Sequence, residues 1–255
     1  MSNDINQDIA KELVAQTAGK TYDDLAHPAA QATGQILSFI PRTIRLWFGK
    51  WENWIINREH TIQKTQLLLN EKLKDIPEEK IVEPEPYVAI PAIQQLSYSF
   101  DSEELRELYA NLLASSMNVD TKYDVHPAFV DIIKQLNPDE AKLLKYLSKQ
   151  KVIPAIEVQL HTDKNNGYTV LEDIRIQVPK GLLYAPQNVQ MYIENLIRLK
   201  LLDIPAGVHY NTESLYELIE NSVQYNNIPK EMLKFKRKVI DITSFGKQFN
   251  RICQQ

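Results

Sequence analysis

Apolar residues recur at helical spacing from the first turn of the chain. Ile5, Ile9, Leu13 and Val14 share one face of a helix predicted over residues 5–19, and Gly19 is placed to end it. A second helix is predicted over 21–40, delayed by Pro28. Pro41 suits the first turn of a third, where its missing N–H costs nothing, and this helix has no internal proline as far as Lys74. Residues 75–86 break the pattern. They hold Asp75, Glu78, Glu79, Glu83 and Glu85 against Lys80, with Pro77, Pro84 and Pro86, and therefore read as an acidic linker. Asp101 and Glu104 match a capping box ahead of Leu105, Leu108, Tyr109, Leu112 and Leu113, which line one helical face. Pro127 can open a short helix bearing Val130, Ile133 and Leu136. Asn137-Pro138-Asp139-Glu140 is a strong start signal for the next helix: a capping Asn, Pro at the first helical position and Glu at the third.

After Lys151 the period changes. Residues 153–160 and 169–178 are extended in pattern and separated by a turn at Asn165-Asn166-Gly167. Residues 187–200 return to helix, 201–204 are extended, 212–222 form a small helix, 239–243 are extended, and Thr243 can cap a last helix over 244–252. The predicted fold is mainly α. Helices over 1–74, the linker 75–86 and a helical segment 87–136 lead into an α+β region, 137–255.

The 255 residues suffice for one large domain or two ordinary ones, and the 44% hydrophobic content can build a core. A net charge of −4 supplies no global field for nucleic acid or an anionic membrane. Cys253 is the single cysteine, so no intramolecular disulfide forms. The start, Met1-Ser2-Asn3-Asp4-Ile5, lacks a secretory pattern, and no window approaches the roughly 20 apolar residues of a membrane span, so a cytoplasmic location is expected. None of His27, His60, His126, His161 and His209 is spaced i, i+4 from another, and no glycine-rich phosphate loop or Gly-x-Ser-x-Gly elbow occurs. No cofactor, metal site or catalytic residue is expected.

Two stretches are distinctive. One is Ile90-Pro91-Ala92-Ile93-Gln94-Gln95-Leu96 followed by Glu103-Glu104-Leu105-Arg106-Glu107-Leu108-Tyr109-Ala110-Asn111-Leu112-Leu113. The other is Val125-His126-Pro127-Ala128-Phe129 followed by Leu136-Asn137-Pro138-Asp139-Glu140-Ala141. Together they resemble the core of the Abi-alpha family, associated with abortive infection against phage. The resemblance extends over about residues 25–250, with 90–145 its specific part. It implies a phage-defence role and carries over no catalytic residues. His126 recurs in the family's pattern, where its position suits a helix cap. The C-terminal segments Leu199-Lys200-Leu201-Leu202-Asp203-Ile204 and Val239-Ile240-Asp241-Ile242-Thr243-Ser244-Phe245-Gly246-Lys247 resemble the third helix, wing and last strand of a winged helix. The extended residues 152–185 and the long excursion 205–238 depart from that pattern.

Two surfaces are candidates for contact. Trp47, Trp51 and Trp54, joined by Ile44, form one stripe of the third helix, and residues 42–64 carry a net +3. A membrane surface or a partner groove selects such a stripe, and so does a helical core. Residues 224–251 carry a net +5. There Lys234, Lys236, Arg237 and Lys238 are candidate phosphate contacts, with Gln187, Asn188, Gln190 and Arg198 on the preceding helix as candidate groove contacts. The alternative for this patch is a solvated face. The leading expectation is a non-enzymatic defence protein that binds a phage or host component, with a protein as its expected partner. A DNA-binding regulator and a membrane-surface effector are the alternatives.

Overall fold

A computed structural model describes residues 40, 41, 44, 59–96, 102–161 and 167–254. The two helices predicted before residue 40 and the three tryptophans lie outside them. The described part is mixed α+β and mainly helical. In chain order it comprises α1 (Glu59–Lys74), α2 (Pro86–Leu96), α3 (Glu103–Ser116), α4 (Ala128–Lys134), α5 (Pro138–Leu147), β1 (Pro154–His161), β2 (Tyr168–Arg175) and α6 (Val189–Arg198). There follow β3 (Leu202–Asp203), α7 (Ser214–Asn221), β4 (Leu233–Val239), β5 (Asp241–Ile242) and α8 (Ser244–Cys253).

Helix α3 is the hub. Ser102, one residue after the predicted cap, accepts from the Leu105 N–H at 3.2 Å, satisfying one of the helix's orphan donors. Leu108, Leu112 and Leu113 are buried, each contributing about 1.5–3 kcal/mol of transfer free energy. The small residues of α3 let α8 approach closely. Asn111 Nδ2 donates to the Cys253 carbonyl at 2.8 Å and Ser115 Oγ to the Ile252 carbonyl at 3.0 Å. Those carbonyls end α8 and have no partner within their own helix. One hydrophobic core thereby runs from Ile40 and Ile44 to Ile252 and Cys253. The acidic segment 75–86 is pinned to α3 rather than loose. Val82 N–H bonds the Met117 carbonyl at 2.8 Å, and Lys80 pairs with Asp120 at 2.7 Å.

Helix α5 starts as the sequence predicts. Asn137 Oδ1 accepts from Glu140 N–H and the Glu140 carboxylate accepts from Asn137 N–H, a complete capping box. Asp139, also buried, accepts from the N–H groups of Tyr184 and Ala185 and from the Tyr192 hydroxyl. The start of α5 is thus tied to the loop before α6 and to α6 itself.

The main sheet is antiparallel with strand order β2-β1-β4. Strand β4 takes up Leu233–Val239, almost all of it inside the excursion 205–238. Ile156 and Val158 on one face of β1 pack with Leu233, Tyr216, Ile219 and Val223 into a second, smaller core under α7. A separate ribbon pairs Leu202 with Ile242 and Asp203 with Asp241. Gly246 in the first turn of α8 lies against it so closely that a Cβ there would sit 2.1 Å from the Leu201 carbonyl oxygen. Thr243 caps α8 by accepting from Gly246 N–H at 2.8 Å.

Candidate functional site

Strand β4 carries the basic run, and its pleat sorts the charges onto two faces. Successive side chains alternate, so Leu233, Phe235 and Arg237 point towards α7 while Lys234, Lys236 and Lys238 occupy the opposite face. Arg237 replaces an apolar residue on the α7 side. Its guanidinium lies 5.1 Å from the centre of the Tyr216 ring, and its Nε donates to Glu220 at 2.8 Å. On the other face Lys238 is held twice, by Glu157 at 2.8 Å and Asp173 at 2.7 Å, so it bridges from β4 across β1 to β2.

Glu157 is only 5% exposed in the central strand. Burial pushes its carboxyl pKa up, but the Lys238 ammonium, the Gln159 amide at 2.6 Å and Lys236 outweigh it and hold the group below the usual carboxylate range. Burial likewise works against the charge on Lys238, and the two carboxylates beside it keep its pKa above the ordinary lysine value. This is an internal ion-pair network.

The outer lysines differ. Lys236 reaches Glu157 only at 3.9 Å with its side chain 59% exposed. Lys234 and Lys230 are exposed and pair with no carboxylate among the described residues. The β4 patch is therefore neutralised at its β5 end and open at the Lys230 end.

The predicted groove contacts on α6 are occupied within the protein. Gln190 accepts from Asp173 N–H at 3.2 Å and donates to Glu194 at 2.8 Å. Arg198 is clamped by Asn195 Oδ1 at 2.7 and 3.0 Å and by Gln135 Oε1 at 3.0 Å. Asn188 is half-buried against the Tyr192 hydroxyl, which leaves Gln187 exposed and uncommitted. Helix α6 packs beside β2, at the far side of the sheet from β4. Among the described residues the two predicted groups share Asp173, whose backbone N–H donates to Gln190 and whose carboxylate accepts from Lys238.

Ile44 is fully buried in the main core, so its side chain offers nothing to a membrane or partner. Trp47, Trp51 and Trp54 lie outside the described residues. No helix among the described residues is long and apolar enough to cross a membrane, and no cluster of three or more His, Cys, Asp or Glu could hold a metal ion there. His126 accepts from Ala128 N–H at 3.1 Å through Nδ1 and packs its ring against Phe129 and Phe245, while the cap position itself is held by Pro127. His161 stacks on Tyr168 and bonds Gln159 at 3.0 Å.

The feature sequence reasoning missed is a slot of about 710 Å³ beside β4. One wall is Phe235–Lys238 and the other is the loop from Ile204 to His209. The alternation of Leu233, Phe235 and Val239 with lysines was the available signal for the strand.

The sequence profile described as abortive infection alpha matches residues 57–253. The chain belongs to the abortive infection alpha family. For this Abi-alpha protein the match takes in the second core, the sheet, α8 and all of the main core except Ile40 and Ile44. It is also similar to a solved structure of an uncharacterized protein from the hydrocarbon-degrading marine bacterium Alcanivorax borkumensis SK2. The two are 20% identical, with 50% of this chain and 92% of the other covered and a TM-score of 0.35.

Proposed function

We propose that this protein is a non-enzymatic abortive-infection protein that acts by binding a protein component of the phage or the host through its C-terminal α+β region, and that binding leads to growth arrest. The observation that carries this reading is the division of charges on β4. Lys238 and Arg237 are committed to the protein's own carboxylates, whereas Lys230 and Lys234 are exposed and pair with no carboxylate among the described residues, and the exposed Lys236 lines a slot with an apolar wall. Buried groups with chemical potential are occupied structurally: Asp139 and Glu140 hold helix starts and loops, and Glu157 holds the sheet. The pairing of β3 with β5 between α6 and α8, with α7 and β4 inserted between the two strands, supports a winged-helix-like docking module in residues 137–255.

Nucleic-acid binding is the rival use of the same open lysines. It would make binding steeply salt-dependent. The engagement of Gln190 and Arg198 and the presence of Glu194 on the same helix count against it.

The test is phage plating and survival of infected cells, comparing the wild type with Lys234→Glu/Lys236→Glu and with His126→Gln. We expect the charge reversal to abolish protection and His126→Gln to retain it, with both variants folded by circular dichroism. Full protection by the charge-reversed protein, or loss of protection in a stably folded His126→Gln, overturns the reading.

A further inference from the structure

A three-stranded open sheet has two edges, and this one treats them differently. The β2 edge is covered, since α6 packs against it and Gln190 takes up the Asp173 N–H. Among the described residues, no further strand pairs with the β4 edge. Ile240 N–H bonds the Ile153 carbonyl at 2.9 Å, and Pro154 lies opposite Val239. In antiparallel pairing this register aims the backbone groups of Lys234, Lys236 and Lys238 at β1 and those of Phe235 and Arg237 outward. The outward groups of Phe235 and Arg237 have no hydrogen-bond partner among the described residues.

The Ile204–His209 loop walls this edge without pairing to it. Pro205 has no N–H to give. The loop also closes on itself, with Val208 N–H bonded to the Pro205 carbonyl and Gly207 in the left-handed region at φ 73°. What remains between loop and strand is the slot, flanking four consecutive β4 residues, or about 13 Å of strand. Its loop wall is apolar, with Ile204, Pro205, Ala206 and a 49% exposed Val208.

We propose that this slot receives an extended acidic segment of a partner protein, which adds to β4 as a fourth strand. The inference rests on the protein-binding reading above and specifies its partner. Backbone N–H and C=O groups of Phe235 and Arg237 supply the ladder, and alternate side chains supply specificity. Side chains of the added strand on the Lys234/Lys236 face stand opposite Lys234, which pairs with no carboxylate among the described residues, and the 59% exposed Lys236, which reaches Glu157 only at 3.9 Å, so acidic residues are favoured there. Those on the other face lie beside Phe235, where apolar residues fit. The recognised pattern is thus an alternation of acidic and apolar residues. Lysines on an edge strand also repel indiscriminate strand pairing, so the same residues that exclude ordinary edges select an acidic one.

The experiment uses the full chain and fluorescent peptides of about ten residues, the length of a long strand. One alternates Glu and Val. A second has the same sequence with alternate backbone nitrogens methylated, a third alternates Lys and Val, and a fourth has the Glu/Val composition in blocks. A single-stranded oligonucleotide is the fifth probe. We expect saturable binding of the first alone. Affinity should fall roughly tenfold with Lys234→Glu/Lys236→Glu and also with Val208→Asp, which leaves the lysines intact. Equal binding of the methylated or block peptide reduces the contact to bulk charge and overturns strand addition. No binding of the alternating peptide overturns it too, as does binding of the oligonucleotide alone. If the peptide fails to bind while Lys234→Glu/Lys236→Glu still abolishes phage protection, strand addition is wrong and the protein-contact reading stands. If protection survives charge reversal, that reading falls as well.

Discussion

Asp139→Asn isolates the junction between α5 and α6. The native carboxylate accepts two backbone N–H groups at 2.9 Å each, from Tyr184 to one oxygen and from Ala185 to the other, and the Tyr192 hydroxyl at 3.2 Å. Asparagine has nearly the same shape but one acceptor oxygen. Its NH₂ must face an N–H, leaving one buried donor unsatisfied at about 1–3 kcal/mol, and the remaining bonds lose their charge assistance. We expect a total of about 2–4 kcal/mol, which for a chain of this size is a fall in Tm of roughly 5–15 °C.

The pH dependence supplies a second check. Burial raises the Asp139 pKa, but the Tyr184 and Ala185 N–H groups, the Tyr192 hydroxyl and Lys142 together hold it below the ordinary aspartate value. A depressed folded-state pKa stabilises fully above the unfolded value, about 3.9, and the stabilisation is lost as pH falls through the folded value. Asparagine does not titrate there. The gap between wild type and variant should be widest near neutrality and narrow on acidification, measured by urea denaturation at stepped pH. A gap under about 0.5 kcal/mol at neutral pH, the scatter of an ordinary surface substitution, or one that does not change with pH, refutes the assignment.

Three further outcomes are expected. Gly246→Ala should cost about 3 kcal/mol in denaturant unfolding, because its Cβ meets the rigid Leu201 carbonyl rather than a movable side chain; a near-neutral result would mean that α8 can slide. Asn137→Ala should cost about 1 kcal/mol through loss of the cap, and thermal melts that coincide with wild type would count against it. Burial pushes the Cys253 thiol pKa well up, so maleimide labelling of the native protein should track global unfolding, and rapid stoichiometric labelling under native conditions would contradict this packing.

Local signals made most of the described helices legible. Asn137-Pro138-Asp139-Glu140 carries its own start instruction, and Thr243 with Gly246 marks the last helix independently of what surrounds them. Strand β4 was harder because Arg237 interrupts the apolar series Leu233, Phe235, Val239. Only the Tyr216 ring and Glu220, supplied by α7, make a cation acceptable on that face. The basic patch was visible as a sum of charges. Its division into paired and open lysines was not, because it depends on the register that sets Lys236 opposite Glu157 and brings Asp173 within reach of Lys238. The same holds for the cap of α3, where the sequence pattern points to Asp101 with Glu104 but Ser102 is the residue that accepts from the Leu105 N–H.

The bonds from Asn111 and Ser115 to the end of α8 join residues 142 and 137 positions apart. On the ribosome, this side of the central helix must wait through the synthesis of all the intervening chain before its partner exists. During that interval the polar pair stands uncovered. Folding of this protein should accordingly switch on late and all at once, and a nascent chain stalled before α8 would be a substrate for chaperones and proteases rather than a working fragment.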